Sequence, residues 1–339
     1  MPIIEIKSEF AKRWHARRKS QLDAERDEVT RRVLARDPQR GMLTLDIEPT
    51  NECNLRCVMC ARTVFGYGQK ATTPIGFMDM TTYCRIIDEA SALGVMSLRL
   101  AWYGEPLLHP HIGEMVRYAK GRGIGDVGLN TNATCLDRPK AIELVESGLD
   151  RLMFSVDSPY PEQFEQIRKG AHFDTVIESI RQFRHIRDEH HAENLLTRAT
   201  MVVMKENAAC FDDYVLLLAE YVDVVATSGF HDFSVSREGG KSQATAKFAC
   251  PYLWISMVIG WDGRAFACTI DAERNMSMGD ACHQGLSDIW RSNAYEHLRG
   301  LHASGQWEDV PLCRKCNLVS LFLGVAAEQA ATTTGPRPP

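Results

Sequence analysis

The chain has 339 residues, of which 45% are hydrophobic, and a formal net charge of −5, so it can bury a sizeable core and lacks the basic excess of a general nucleic-acid binder. A charged N-terminus without an apolar signal region, and no apolar run long enough to cross a bilayer, predict a cytoplasmic protein with no membrane association. Eleven cysteines in a reducing compartment indicate metal or redox chemistry rather than disulfides.

Residues 1–40 form a charged N-terminal segment, in which 5–36 predict one helix with few apolar positions. Pro38 and Gly41 would end this helix. Its basic cluster could contact an acidic partner, but a solvated helix face packed on the main domain is the favoured interpretation. The cluster consists of Arg13, Arg17, Arg18 and Lys19.

The next part of the chain alternates apolar, strand-like runs with amphipathic helical stretches. Strands are predicted at 43–47, 97–101, 126–130, 151–156, 199–204 and 222–227, with 231–235 as an alternative last strand. Helices are predicted at 79–93, 111–121, 138–147, 174–189 and 211–220. This repetition implies a parallel sheet with helices outside it, and about six units are too few for a closed eight-stranded barrel.

Three cysteines follow the first predicted strand at the spacing C-x3-C-x2-C: Cys53, Cys57 and Cys60. Three thiolates on one loop can hold three irons of a [4Fe–4S] cube, which leaves the fourth iron open to another ligand. A structural zinc site is the alternative, but it needs a fourth ligand that the loop does not supply. The three cysteines could also form disulfides or be buried core thiols.

This loop resembles the signature of the radical S-adenosylmethionine (SAM) enzymes, in which SAM fills the open iron position. Met59 stands where the family often has an aromatic residue before the third cysteine. The resemblance implies an open (β/α)6 partial TIM barrel, here residues 41–236, with the chemistry at the carboxyl ends of the strands.

The stretch after the second predicted strand, Trp102-Tyr103-Gly104-Glu105-Pro106, resembles the family's Gly-Gly-Glu-Pro motif, which binds the SAM ammonium. Glu105 supplies an anionic acceptor for that ammonium, and Gly104 allows close approach of the backbone. Tyr103 replaces the first glycine of the pair. Taken alone, Gly-Glu-Pro is a common turn.

Later strand ends carry further polar residues that the resemblance assigns to the SAM or substrate pocket. Asn130 follows the third strand, where an Asx turn is the alternative. Ser155 and Asp157 resemble the family's Ser-Ile-Asp-Gly stretch near the SAM ribose and methionine, and both face one side of a strand. Arg198 on the fifth strand is a candidate for the SAM carboxylate, or a surface arginine.

A polar, glycine-rich stretch at 236–247 predicts a linker to a second domain at 248–326. There, Asp262-Gly263 predicts a hairpin turn and residues 286–301 predict a helix. The domain resembles the SPASM/twitch domains of radical SAM enzymes. This implies one auxiliary [4Fe–4S] cluster held by Cys250, Cys268, Cys313 and Cys316, with a four-cysteine zinc ribbon as the alternative. Residues 327–339 predict a disordered tail.

The expected cofactors are therefore two [4Fe–4S] clusters and SAM, with an external reductant such as flavodoxin or ferredoxin. The cysteine spacing resembles the twitch dehydrogenases and epimerases of aminoglycoside antibiotic biosynthesis. This implies a 5′-deoxyadenosyl radical that takes hydrogen from a carbinol carbon of an aminocyclitol or aminosugar, while the auxiliary cluster accepts an electron and a ketone forms. Acidic candidates for recognising the amines are Glu48, Asp157 and Asp232, and further polar candidates are His231 and Arg198.

Several functions besides alcohol oxidation are compatible with the sequence. An epimerase would need a thiol as hydrogen donor, for which Cys135 and Cys210 stand just beyond strand ends, whereas Cys84 on a helix fits a core position. A peptide-modifying maturase, a sugar-nucleoside decarboxylase and a non-catalytic iron–sulfur scaffold are also compatible with it.

Overall fold

A single sheet organises the computed structural model, which describes residues 5–36, 41–67, 74–230, 249–314 and 316. Its strands are β1 Glu5–Lys7, β2 Thr44–Ile47, β3 Ser97–Leu100, β4 Asp126–Thr131, β5 Arg151–Ser155, β6 Leu196–Val203, β7 Val224–Gly229, β8 Ser256–Ile259, β9 Arg264–Phe266 and β10 Ser277–Asp280. The helices are α1 Glu9–Arg17, α2 Lys19–Ala35, α3 Ala61–Phe65, α4 Met80–Ala92, α5 Ile112–Gly121, α6 Arg138–Glu146, α7 Pro161–Ile167, α8 Phe173–Glu189, α9 Phe211–Leu218, α10 Leu286–Trp290, α11 Asn293–Ser304 and α12 Pro311–Arg314.

Strands β2 to β7 are parallel neighbours in chain order and form an open partial barrel, as predicted. The six strands and the helices predicted between them lie within a few residues of their expected positions. The alternative last strand at 231–235, the linker at 236–247 and the tail at 327–339 lie outside the described residues, as do His231 and Asp232.

Alternating side chains give this sheet two different faces. Leu98, Leu152 and Phe154 are buried in the main hydrophobic core with the helices, and Phe154 packs edge-on against Phe183 of α8. The intervening residues, which include Arg99, therefore point to the opposite face, which we call the inner face. Burying a polar side chain on the inner face of a central strand costs folding free energy unless the side chain is paired or lines a site.

Both edges of the barrel sheet are extended by other parts of the chain. At one edge β1 pairs antiparallel with β7. At the other, β8 pairs in parallel with β2, and β9 and β10 continue the sheet antiparallel. The C-terminal unit is thus joined to the strand that leads into the first cysteine loop, which fixes the two cysteine sets relative to each other.

The prediction of one helix over 5–36 is wrong in two places. Residues 5–7 form β1, because their backbone groups pair with β7, and Ser8 then caps α1 by accepting a hydrogen bond from the Ala11 N–H. A second break separates α1 from α2 at Arg18. Arg18 is held there by ion pairs to Asp126 and Asp150 of the barrel.

Helix α1 covers part of the inner face of β6 and β7. Trp14 is 3% exposed, packs with Leu196, Val224 and Ala226, and donates its indole N–H to the carbonyl of Asn194 at 2.8 Å. The N-terminal segment thus closes the end of the barrel near the start of β6. Within the described ranges, no helix is long and apolar enough to cross a membrane.

The C-terminal unit contains the predicted hairpin, one further strand and three α-helices among its described residues. Gly263 makes the turn between β8 and β9 with a positive φ of 81°. The predicted helix at 286–301 is two helices, α10 and α11, because the Ser292 hydroxyl caps α11 by accepting from the Tyr295 N–H. Strand β10 and helix α12 complete the unit.

Candidate active site

The first cysteine loop follows β2 and is hydrogen-bonded to the end of α7 and to the residues just after it. The N–H of Val58 donates to the carbonyl of Ile167, and the N–H of Arg56 donates to the carbonyl of Lys169, both at 2.9 Å. Two backbone bonds on alternate residues hold the loop as a strand pair would. The residue between the two acceptors, Arg168, is turned toward the cysteines.

The three thiols of this loop lie close enough to interact electrostatically. Burial raises the pKa of Cys53, Cys57 and Cys60, and each pKa is raised further by a neighbouring thiol of the set. Donors face two of the sulfurs: Asn132 Nδ2 lies 3.9 Å from Cys53 Sγ, and Arg168 Nη1 lies 3.9 Å from Cys57 Sγ. Three converging thiols with hydrogen-bond donors fit an iron–sulfur cluster, whose sulfurs accept such bonds.

Gly104 permits close contact between the Gly-Glu-Pro stretch and this loop. A Cβ on Gly104 would overlap the Thr50 carbonyl oxygen and would lie 2.8 Å from that of Glu52. The next residue, Glu105, donates its N–H to the Glu52 carbonyl at 2.7 Å. The stretch that the motif assigns to SAM therefore abuts the main chain just before Cys53.

Glu105 is 3% exposed, and its carboxylate is held by three donors. Oε1 accepts from the Thr131 hydroxyl at 2.7 Å and from the Leu107 N–H at 3.1 Å. Oε2 accepts from the Asn132 N–H at 2.7 Å. Burial raises the pKa of Glu105, whereas these hydrogen bonds lower it. Glu105 thus fixes the end of β4, and Asn132 with it, beside Cys53.

Three other candidates project from the inner face. The Asn130 side-chain oxygen is buried without a hydrogen-bond partner among the described residues, so it offers an acceptor to a ligand. Ser155 is partly exposed and lies opposite Thr200 in the sheet. Arg198 is on the same face and donates from Nε to the Thr200 hydroxyl at 3.2 Å.

Asp157 is placed differently from these three. It is fully buried and pairs with Arg168 at 2.7 Å, while its other oxygen accepts from the Val202 N–H at 2.8 Å. Both carboxylate oxygens therefore have protein partners, and Arg168 stands between Asp157 and the Cys57 sulfur. Sequence reasoning missed Arg168, because no motif in its own stretch of the chain distinguishes it.

The four C-terminal cysteines lie near one another. Burial raises the pKa of Cys268 well above its usual value, and the thiols of the other three raise it further. Burial likewise raises the pKa of Cys250 to about 12, with a contribution from Cys316. Four mutually interacting thiols supply the number of ligands that a [4Fe–4S] cluster takes.

His302 of α11 contacts two of these cysteines. Its Nδ1 accepts from the Cys250 N–H at 3.2 Å, so the neutral ring carries its proton on Nε2, which lies 3.3 Å from Cys313 Sγ. Burial lowers the pKa of His302 to about 4, which keeps the ring neutral. His302 can therefore donate to a cluster-bound Cys313 thiolate. Sequence reasoning missed this role, because His302 stands in a helix without a metal-ligand spacing.

Two aromatic residues connect the loops of the two cysteine sets. The Trp102 indole N–H and the Tyr103 hydroxyl both donate to the carbonyl of Thr269, at 2.7 and 2.6 Å. Thr269 follows Cys268, and Tyr103 precedes Gly104. The two rings stack with centroids 5.1 Å apart.

The inner face between the two cysteine sets carries paired charges. Glu48 is fully buried and bonds to Arg274 of the C-terminal unit. Asp46 pairs with Arg99 at 2.6 Å, and Arg99 still exposes 46% of its side chain, so this wall borders an open space. Tyr252 lies near both this pair and the thiols of Cys250 and Cys268. The acid candidates Glu48 and Asp157 are each neutralised by an arginine.

The two cysteines considered as hydrogen donors have protein contacts. Cys210 is 6% exposed, and its thiol donates to the Asn207 carbonyl at 3.0 Å. Cys135 is partly exposed and contacts the Asn54 side-chain nitrogen at 3.7 Å and the Thr134 hydroxyl at 3.8 Å. Burial raises the pKa of both thiols.

Comparison with protein families gives two matches. Residues 47–218 match the model described as "Radical SAM superfamily", and residues 250–317 match SPASM, described as "Iron-sulfur cluster-binding domain". The first match runs from the end of β2 to the end of α9 and includes the first cysteine loop, and the second covers the four C-terminal cysteines and His302.

Curated relatives include a nucleotide cyclase and a cofactor-modifying protein. The GTP 3′,8-cyclase of Chlorobaculum tepidum is 36% identical over 135 residues, which are 40% of this chain and 38% of the cyclase. The chain thus matches about two fifths of the length of such relatives. The tungsten-containing aldehyde ferredoxin oxidoreductase cofactor-modifying protein of Pyrococcus furiosus is 26% identical over 325 residues, covering 82% of this chain and 88% of that protein.

Solved structures share the fold at low identity. BtrN in complex with AdoMet and 2-DOIA has a TM-score of 0.54 and 19% identity, covering 81% of this chain and 93% of BtrN. Streptococcus suis SuiB bound to S-adenosylmethionine has a TM-score of 0.60 and 15% identity, covering 83% of this chain and 74% of SuiB.

Proposed function

The chain belongs to the radical SAM superfamily, and from that premise we propose that it oxidises a secondary alcohol of an aminocyclitol or aminosugar to a ketone in antibiotic or secondary-metabolite biosynthesis. Its cofactors are SAM and [4Fe–4S] clusters. When bound, they supply a 5′-deoxyadenosyl radical able to take a hydrogen atom from an unactivated C–H bond.

The observation that carries the proposal is that Cys250, Cys268, Cys313 and Cys316 lie close enough for their thiols to raise one another's pKa. Four cysteines would ligate all four irons of a [4Fe–4S] cluster. No iron would then be open for substrate, which favours a role in electron transfer. Oxidation of a carbinol removes one hydrogen atom from carbon, one proton from oxygen and one electron. The four-cysteine site would receive that electron, and an external reductant such as flavodoxin or ferredoxin would start the cycle.

The chain's own residues would hold the substrate between the two cysteine sets. Asn130 offers a buried acceptor near the first set, and Arg99, which is paired with Asp46, keeps about half of its side chain exposed farther along the inner face. Trp102 and Tyr103 brace the loops on either side through Thr269. Such bracing keeps a substrate at a fixed position relative to both sets, which a hydrogen transfer requires.

An epimerase acting on the same substrates is the first alternative. It needs a thiol aimed at the substrate, and in this structure the Cys210 thiol donates to the Asn207 carbonyl just before α9. Cys135 remains the better candidate because it is partly exposed. Full activity of both Cys135→Ala and Cys210→Ala would remove this alternative.

A second candidate substrate class carries an anionic group. Arg99, although paired with Asp46, keeps 46% of its side chain exposed on the inner face, whereas the described acid candidates Glu48 and Asp157 are fully buried in their pairs with arginines. The curated relatives act, by name, on a nucleotide and on a cofactor. A phosphorylated or nucleotide-linked sugar alcohol would carry both an anionic group for Arg99 and an alcohol for the proposed oxidation.

The test uses anaerobically reconstituted protein with dithionite, SAM and either aminocyclitols and aminosugars or nucleotide-linked sugars. The proposal predicts 5′-deoxyadenosine and a product lighter by two hydrogens. A Cys268→Ala variant is the control and should yield 5′-deoxyadenosine without that product. A product of unchanged mass and inverted stereochemistry would overturn the proposal in favour of epimerisation, and turnover of nucleotide-linked sugars alone would select the second substrate class.

A further inference from the structure

Arg168 occupies an unusual place beside the first cysteine set. It is 7% exposed, and its guanidinium divides its two terminal nitrogens between different partners. Nη2 lies 2.7 Å from the Asp157 carboxylate, and Nη1 lies 3.9 Å from Cys57 Sγ. A buried guanidinium must be paired, and here one of its partners is a sulfur of the loop that resembles the SAM signature.

The backbone determines this arrangement. The carbonyls of Ile167 and Lys169 accept from Val58 and Arg56, so the intervening side chain points along the loop toward Cys57. Asp157 is itself fixed by the Val202 N–H. A continuous set of contacts therefore runs from β6 through Asp157 and Arg168 to a cysteine sulfur.

The second buried arginine near this loop has a different task. Arg62 is 4% exposed and donates to the main-chain carbonyls of Asn51 at 2.8 Å and Cys53 at 3.5 Å. It braces the backbone and leaves the sulfurs to other donors. Arg168, by contrast, is a buried cation whose guanidinium faces a ligand sulfur.

We propose that Arg168, held by Asp157, is a positioning residue that donates to the Cys57 thiolate and raises the reduction potential of the SAM-site cluster. Net charge and hydrogen bonds to the sulfurs set such potentials, because reduction adds a negative charge that a nearby cation stabilises. This assigns Asp157 an indirect role through Arg168 in place of contact with SAM. The role concerns the SAM site and does not depend on which substrate is oxidised.

The test is a redox titration of the full chain, anaerobically reconstituted, with dithionite as reductant and EPR detection. The signal that changes when SAM is added identifies the SAM-site cluster, and iron and sulfide contents report loading. Arg168→Gln removes the positive charge, and Asp157→Asn removes the negative charge that balances it. Lys169→Gln is the matched control, because Lys169 is an exposed cation one residue away whose charge is screened by water.

Arg168→Gln should still incorporate iron. At the wild-type midpoint potential, its ratio of reduced to oxidised cluster should be at least tenfold lower, which corresponds to a midpoint potential lower by about 59 mV for one electron. Asp157→Asn should shift the midpoint in the opposite direction, and Lys169→Gln should match the wild type. An unchanged midpoint in loaded Arg168→Gln would overturn the inference. If Arg168→Gln does not incorporate iron, Asp157→Asn becomes the test. An Asp157→Asn variant that has an unchanged midpoint potential, or that incorporates no iron, would show that this pair serves only the structure of the loop.

Discussion

Tyr103 donates its phenolic proton to the main-chain carbonyl of Thr269 at 2.6 Å, although 166 residues separate the two. Tyr103 stands next to Gly104, which packs on the first cysteine loop, and Thr269 stands next to Cys268. The hydrogen bond therefore joins the Gly-Glu-Pro stretch to the loop that carries Cys268.

Tyr103→Phe should lower the free energy of unfolding by about 1 kcal/mol, because the Thr269 carbonyl keeps only the Trp102 donor. Thermal unfolding of the reconstituted protein measures the change. Tyr118→Phe serves as the control, since Tyr118 bonds to Asp88 at the surface and water can replace that bond. Equal changes in both variants would mean that the Tyr103 bond has no special structural importance.

Gly104→Ala should disrupt the SAM site, since the new methyl would meet the backbone oxygens of Thr50 and Glu52, and backbone cannot move as a flexible side chain can. Overpacking costs about 1–3 kcal/mol, and we expect this variant at the upper end together with loss of SAM binding. Gly121→Ala at the end of α5 meets nothing within 4 Å and should be neutral or slightly stabilising. Unchanged SAM binding in Gly104→Ala, followed by EPR, would contradict this expectation.

His302→Ala should weaken the auxiliary cluster by about tenfold to a hundredfold in affinity, because the Cys313 sulfur and the Cys250 N–H both lose a partner. Iron retention under chelator challenge measures the effect. His297→Ala, on the exposed side of the same helix, is the matched control. Equal retention in the two variants would show that His302 does not support the cluster.

Trp14→Ala should destabilise the protein by about 3–5 kcal/mol, since Trp14 fills the inner face of β6 and β7 and donates to Asn194. Leu216→Ala, at a side chain that is 78% exposed, should change stability by less than about 0.5 kcal/mol. Denaturant unfolding compares the two. A small effect at Trp14 would mean that the N-terminal segment packs on the barrel without stabilising it.

Local signals in the sequence were enough to place the barrel strands and the first cysteine loop, whereas the C-terminal cysteine set was expected from the resemblance to SPASM/twitch domains. Periodicity places a strand such as β4, because Val127 and Leu129 alternate with Asp126, Gly128 and Asn130. Cysteine spacing restricts Cys53, Cys57 and Cys60 to one loop. The same reasoning overextended the first helix, because residues 5–7 become a strand only by pairing with β7, which lies far along the chain.

Residues that act across the fold were beyond sequence reasoning. Arg168 lies 111 residues from Cys57, and Arg274 lies 226 residues from Glu48. Nothing in the local pattern of either arginine distinguishes it from a surface cation. Their roles follow from burial beside a specific partner, which only the packed structure defines.

The most direct measurement of the central claim compares iron, sulfide and EPR signals of the anaerobically reconstituted wild type with a variant carrying Cys53→Ala, Cys57→Ala and Cys60→Ala. We predict that the wild type holds two [4Fe–4S] clusters and that the triple variant keeps one, bound by the C-terminal cysteines, while losing SAM cleavage. An iron-free triple variant would contradict the claim, because no auxiliary cluster would then be present to accept the substrate electron.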